Sequence, residues 1–141
     1  MPYKFFEDVA IADVAFEATG KTIEEMFESA ALAVTNTMVK RLDSVKRKVK
    51  RKFVVKSDKV DMLLFNFLQE IVFYKDAENL LFSDFSLKIK KKPMKLECVA
   101  IGEKLDMKKH DLIVDVKAVT MHKFEVEETK HGWRSQVILD I

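Results

Sequence analysis

Cysteine, glycine and proline are scarce in this chain, with one Cys, three Gly and two Pro among 141 residues. A single thiol, Cys98, rules out an internal disulfide and fits a reducing, cytoplasmic setting. So little Gly and Pro leaves few long irregular loops. No apolar run approaches the roughly 18 residues that a membrane span requires. The opening Met-Pro-Tyr-Lys-Phe-Phe-Glu-Asp lacks the basic and then apolar order of a signal peptide. The three histidines, His110, His122 and His131, show no triad spacing, and there is no Gly-rich phosphate loop. One Cys with scattered His supplies no paired zinc ligands. These absences argue against an enzyme and against a membrane protein. With 48% hydrophobic residues, the expectation is a single domain over 1–141.

The charge is informative in its placement. A formal net charge of +2 does not argue for nucleic-acid binding. Yet segments 46–56 and 88–95 contain no acidic residue and hold 12 of the 25 Lys and Arg, so the rest of the chain is net acidic. Two readings stand side by side. Lysines on edge strands block edge-to-edge aggregation. Alternatively, the segments dock RNA or an acidic protein, steering it over a Debye length of ~8 Å.

Residues 9–18 alternate, with Ala10, Ala12, Val14, Phe16 and Ala18 on one face and Ile11, Asp13, Ala15 and Glu17 on the other. That period predicts a strand with its even face on the core, ended by Gly20. Thr22, three residues before Glu25, forms a capping box. It opens an amphipathic helix through Ile23, Met26, Phe27, Ala30, Ala31, Val34 and Met38. Val49, Arg51, Phe53 and Val55 resume strand alternation. Asp58 and Asp61 mark a second helix with Val60, Leu63, Leu64, Phe67, Leu68 and Ile71 buried, and residues 76–79 read as a polar turn. Strands follow at 81–90, 95–101, 112–119, 122–128 and 133–141, with turns at Lys91-Lys92-Pro93 and Lys130-His131-Gly132. The order predicts an α+β fold, with two helices packed on a mixed or antiparallel sheet.

The tail Trp133-Arg-Ser-Gln-Val-Ile-Leu-Asp140-Ile141 is strand-like to its last residue and sets Asp140 beside the terminal carboxylate. Asp13 shares a face with Glu17. If two aspartates stood about 5 Å apart they would repel by roughly 3 kcal/mol at an effective dielectric near 20, and a divalent cation reverses that sign. Oxygen-only ligation favours calcium or magnesium. The alternative is that each aspartate caps a turn or pairs with a cation. Lys117 lies within a predicted strand, either solvated or poised as an ion-pair partner or phosphate contact. Cys98 reads as a small buried hydrophobe.

Several pieces, taken in order, resemble the archease family. They are Ala-Asp-Val-Ala-Phe-Glu-Ala (12–18), Gly-Lys-Thr-Ile-Glu-Glu-Met-Phe (20–27) with Ala30-Ala31, Leu81-Phe82-Ser83-Asp84-Phe85 and Gly102-Glu103-Lys104-Leu105-Asp106. Val-Lys-Ala-Val-Thr-Met-His (116–122), Gly132-Trp133 and Val-Ile-Leu-Asp-Ile (137–141) follow. The resemblance implies a non-enzymatic cytoplasmic helper of an RtcB-type RNA ligase in tRNA splicing and RNA repair, touching tRNA at most indirectly. It promotes guanylylation of the ligase histidine, and its turnover. The family's metal site, usually assigned calcium, with magnesium or manganese as alternatives, carries over to Asp13, Asp140 and the chain end at Ile141. Lys117 matches the family lysine implicated in ligase activation. Two positions depart from the pattern. Ala10-Ile11 stand where many relatives have His-Thr, and Met121 replaces a tyrosine before His122. The alternative function is a general RNA-binding or chaperone-like module acting through the lysine-rich strands.

Overall fold

The computed structural model describes residues 2–6 and 13–141. Within them the chain runs β1 (Tyr3–Phe6), β2 (Asp13–Gly20), α1 (Ile23–Met38), a 3-10 turn (Leu42–Ser44), β3 (Val49–Lys56), α2 (Val60–Glu78), β4 (Leu80–Lys91), β5 (Met94–Lys104), β6 (Ala118–Thr129) and β7 (Gly132–Asp140). The strands make two antiparallel sheets, ordered β1-β2-β7-β6 and β3-β5-β4. Each helix packs against strands of both sheets, so the helices fill the space between them. This is the α+β class expected, and every strand pairing is antiparallel. No helix among the described residues is long and apolar enough to cross a membrane.

Helix α1 starts where the capping box placed it. Thr22 Oγ1 accepts from the Glu25 N–H at 3.1 Å, and Glu25 Oε2 accepts from the Lys21 N–H at 2.8 Å. Its Ala30, Ala31 and Ala33 are fully buried, which lets the helix approach both sheets closely. Phe16, Phe27, Phe67 and Phe82 are fully buried too. Each contributes roughly 1.5–3 kcal/mol by leaving water. On β2 the even face holds in Phe16 and Ala18, while Val14 is half-buried and Ala15, on the opposite face, is buried as well. The expected positions Ala10, Ile11 and Ala12 lie outside the described residues.

Two expectations are corrected. The polar turn at 76–79 is helical up to Glu78, and only Asn79 leaves the helix, in a left-handed cap at φ 56°. Asp58 and Asp61 bracket the start of α2 as expected; its N-cap is Lys59 without a side-chain bond, and Asp61 accepts from the Met62 N–H at 2.7 Å. The larger change is at 112–119. Residues 113–117 form no strand, and Leu112 makes only an isolated bridge to Val39. Their alternation is real but serves no sheet, because other elements take up the backbone groups. Ile113 N–H donates to Met38 C=O at 2.8 Å, and Val116 C=O accepts from Lys75 Nζ at 2.7 Å. Strand β6 then absorbs the expected 122–128 strand, with an irregularity inside it. Thr120 faces Ile138 and Glu125 faces Gln136, while Lys123 between them sits at φ 52°.

Candidate functional site

The site is built where β2, β7 and β6 end together. In the β2–β7 register Asp13 is directly opposite Asp140, and in the β6–β7 register Asp140 is opposite Ala118. Directly opposed residues of an antiparallel pair share one face, with Cβ atoms about 4.5–5.5 Å apart. The neighbouring row, Val14 and Leu139, turns to the opposite, helix-covered face, where Leu139 is fully buried. Sheet register therefore leaves the two aspartates no choice of face. The Lys117 N–H donates to the Asp140 carbonyl at 2.8 Å, which sets Lys117 against the same strand end. Ile141 follows, half-buried, with its side chain packed on the core. Asp13 and Asp140 are half-buried and Lys117 is exposed.

Four residues singled out in the sequence, Asp13, Asp140, Ile141 and Lys117, are thus neighbours in space, drawn from both ends of the chain. Among the described residues, no cation stands within ion-pairing distance of either aspartate. Like charges directly opposed on a sheet destabilise it. The donors are all oxygen, a set that suits a hard cation and not a soft one. No further His, Cys, Asp or Glu among the described residues makes a group of three there. Among the described residues, the oxygen groups at this strand end are the two side-chain carboxylates and the main-chain oxygens of Ile141.

Further along the same outer face, Arg134 is the hub of a second acidic group. It reaches Glu17 at 3.0 Å, Glu127 at 3.2 Å and Glu125 at 3.4 Å. These carboxylates are compensated where the Asp13 and Asp140 pair is not.

Two buried polar arrangements were not foreseen. Lys75, on α2, is 5% exposed and donates to Asp76, to Asp115 at 2.7 Å and to the Val116 carbonyl at 2.7 Å. Burial alone would lower its pKa, but the bonds to Asp115 and Asp76 outweigh that and raise it. Lys75 thereby pins the segment that delivers Lys117. Glu103 is likewise buried, accepting from Lys109 Nζ and from the Lys46 N–H at 2.7 Å each, with His110 Nε2 at 3.0 Å. Burial pushes its carboxyl up, yet the bonds from Lys109, the Lys46 N–H and His110 hold it at about 2. His110 Nδ1 accepts from the Asp106 N–H, so His110 clasps the turn after β5. No periodicity or spacing marks either cluster, because each joins elements distant in sequence. Cys98 is buried as expected, and burial pushes its thiol up to about 12, far from a reactive thiolate.

The fold and this end-of-sheet site define a class: a small two-sheet, two-helix α+β protein carrying an oxygen-only acidic site. The model of the archease protein family matches residues 3–141, and the chain belongs to that family. It is 38% identical over 133 residues to the protein archease of Pyrococcus abyssi, covering 92% of this chain and 93% of that one. With the Sulfurisphaera tokodaii archease it shares 36% over 141 residues, at 99% and 98% coverage. Among solved structures, a Methanobacterium thermoautotrophicum protein determined in solution matches with a TM-score of 0.86 and 34% identity, covering 99% of both chains. An archease of Thermotoga maritima, described as a possible chaperone, shares the fold at a TM-score of 0.61 and 15% identity, covering 96% of this chain and 97% of its own.

Proposed function

We propose that this protein is a non-enzymatic activator of an RtcB-type RNA ligase in the cytoplasm. In this reading it promotes ligase guanylylation and turnover in tRNA splicing and RNA repair. The observation that carries it is the opposition of Asp13 and Asp140 across β2 and β7, with no cation among the described residues within ion-pairing distance of either. Asp13, Asp140 and the main-chain oxygens of Ile141 would hold a divalent cation, calcium before magnesium or manganese. Bound there, the cation supplies charge compensation toward triphosphate oxygens, which is most of what phosphoryl-group chemistry asks of a helper. The chain's own residues hold that charge at a strand end and present Lys117 beside it as a phosphate contact. Ile113 and Met121, both more than half exposed, flank Lys117 along the chain and offer apolar contact to a protein partner.

The test is a guanylylation assay of a partner ligase with this protein at catalytic stoichiometry. Asp13→Ala and Asp140→Ala should each leave the fold intact and abolish the stimulation. Normal multiple-turnover ligation with either variant would refute the proposal.

A further inference from the structure

The two lysine-rich segments meet on one surface, the outer face of the β3-β5-β4 sheet. Residues facing the helices along β3 are Val49, Arg51, Phe53 and Val55, so Lys50, Lys52, Val54 and Lys56 face away. The register carries that face across the sheet. Lys56, Lys95 and Lys90 lie in one cross-strand row; Val54, Glu97 and Lys88 form the next; Lys52, Val99 and Ser86 the third. A row of three like charges destabilises a sheet. Glu97 gives partial relief: it lies 3.3 Å from Lys95, and Lys95 together with Lys90 and Lys88 holds its carboxyl below the usual range. Other cations of these segments are already engaged, Arg47 with Asp84 and Arg51 with Glu78. Among the described residues, Lys50, Lys52, Lys56, Lys88 and Lys90 have no carboxylate within ion-pairing distance.

Guarding of sheet edges explains lysines on β3 and β4, which are the edge strands. It does not explain Lys95 on the central strand. It also leaves Lys50, Lys52 and Lys56 of β3 and Lys88 and Lys90 of β4, which share one face, without an ion-pair partner among the described residues. A linear polyanion satisfies both. We propose that this face docks the phosphodiester backbone of single-stranded RNA. Alternate residues of a strand are about 6.7 Å apart and neighbouring strands about 4.8 Å, so the lysines form a grid along which a phosphate chain can lie. The face is a shallow open depression of about 700 Å³ floored by Val54 and Val99. It offers no helix or ribbon to enter a duplex groove. Among the described residues it also offers no aromatic ring for stacking, because Phe53 stacks inward on Phe67 and Phe85 meets Phe67 edge-on. Binding is therefore electrostatic and indifferent to base sequence, with dissociation constants of roughly 10⁻⁴–10⁻⁶ M at physiological salt.

The choice of RNA over another polyanion rests on the ligase reading; the anion-binding character of the face does not. The experiment uses the protein alone, without ligase: fluorescence anisotropy of a labelled mixed-sequence RNA 20-mer across a potassium chloride series. About five phosphate contacts predict a log–log salt slope near −3.5. Lys56→Gln/Lys88→Gln/Lys90→Gln should weaken binding at least tenfold and flatten the slope by about 2. Its thermal midpoint should stay at or above that of the parent protein, since repulsion has been removed. Lys50→Gln/Lys52→Gln, at the other end of the grid, provides a second variant and should also weaken binding. Asp140→Asn should bind RNA normally even where it fails to stimulate guanylylation, which separates the two proposals. Unchanged affinity in both lysine variants, or no binding at 50 mM salt, would overturn the RNA proposal. Displacement by poly-glutamate at a lower charge concentration than by unlabelled RNA would also overturn it, in favour of an acidic protein.

Discussion

Single residues here carry charge that the fold either compensates or leaves open. Asp13 and Asp140 are left open, and the consequence is measurable without a ligase. In metal-free buffer Asp140→Asn should be more stable than the parent by roughly 0.2–1 kcal/mol, because a directly opposed like-charge pair is gone. Added calcium should raise the thermal midpoint of the parent and not of the variant. A variant that is less stable in chelator would mean the carboxylates are paired after all. Glu103 is the compensated case. Its folded pKa, about 2, lies below the ordinary 4.5. Its stabilising contribution is thus fully present above about 4.5 and lost as pH falls toward 2. Glu103→Gln should lower the thermal midpoint at neutral pH and make it less sensitive to acid over that window. An unchanged acid slope would show the Lys109 and His110 bonds to be energetically idle.

Elements position these residues. Segment 113–117 belongs to no sheet, and its order depends on α2 through Lys75. The Lys75 ammonium bonds the Val116 carbonyl one residue before Lys117, whose own N–H holds the Asp140 carbonyl. Lys75→Met keeps the side-chain volume and removes a charged hydrogen bond worth about 1.5–3 kcal/mol. Native-state hydrogen exchange at the Lys117 amide should accelerate by about tenfold or more, while amides of α1 are unaffected. Asp115→Ala should do less, since Lys75 keeps Asp76 and the Val116 carbonyl. The irregularity in β6 has a similar anchor. Phe124 meets Phe65 of α2 edge-on at 5.6 Å, while Met121, His122 and Lys123 stay exposed. Met121 therefore falls on an exposed stretch, 52% exposed at that residue.

At the scale of the molecule, a net charge of +2 conceals a separation. Both helices lie between the sheets, so among the described residues no helix covers the outer face of either sheet. One carries Asp13, Asp140 and the Arg134 group of glutamates; the other carries the lysine grid. The two faces point away from each other across the helical layer. The proposed activation through the aspartates and the proposed RNA contact through the lysines should for that reason be independently removable, which is what the paired tests above exploit. Such an arrangement also orients the molecule in the field of any partner carrying both signs of charge.

Local periodicity in the sequence by itself determined most elements, the capping of α1, the inward face of β3 and the burial of Cys98. Each of those follows from residues within a few positions of one another. It placed 113–117 in a strand wrongly, because alternation reports which side chains are apolar and not whether a neighbouring strand exists. Only the tertiary structure decided that Asp13 meets Asp140, and that Lys56, Lys95 and Lys90 fall into one row. It alone showed that Lys75 and Glu103 hold distant segments together. The physical reason is that cross-strand register pairs Asp13 with Asp140, while buried bonds tie Lys75 to Asp115 and Glu103 to the Lys46 N–H, 40 and 57 positions away. No local pattern encodes the pairing until the chain has closed those loops.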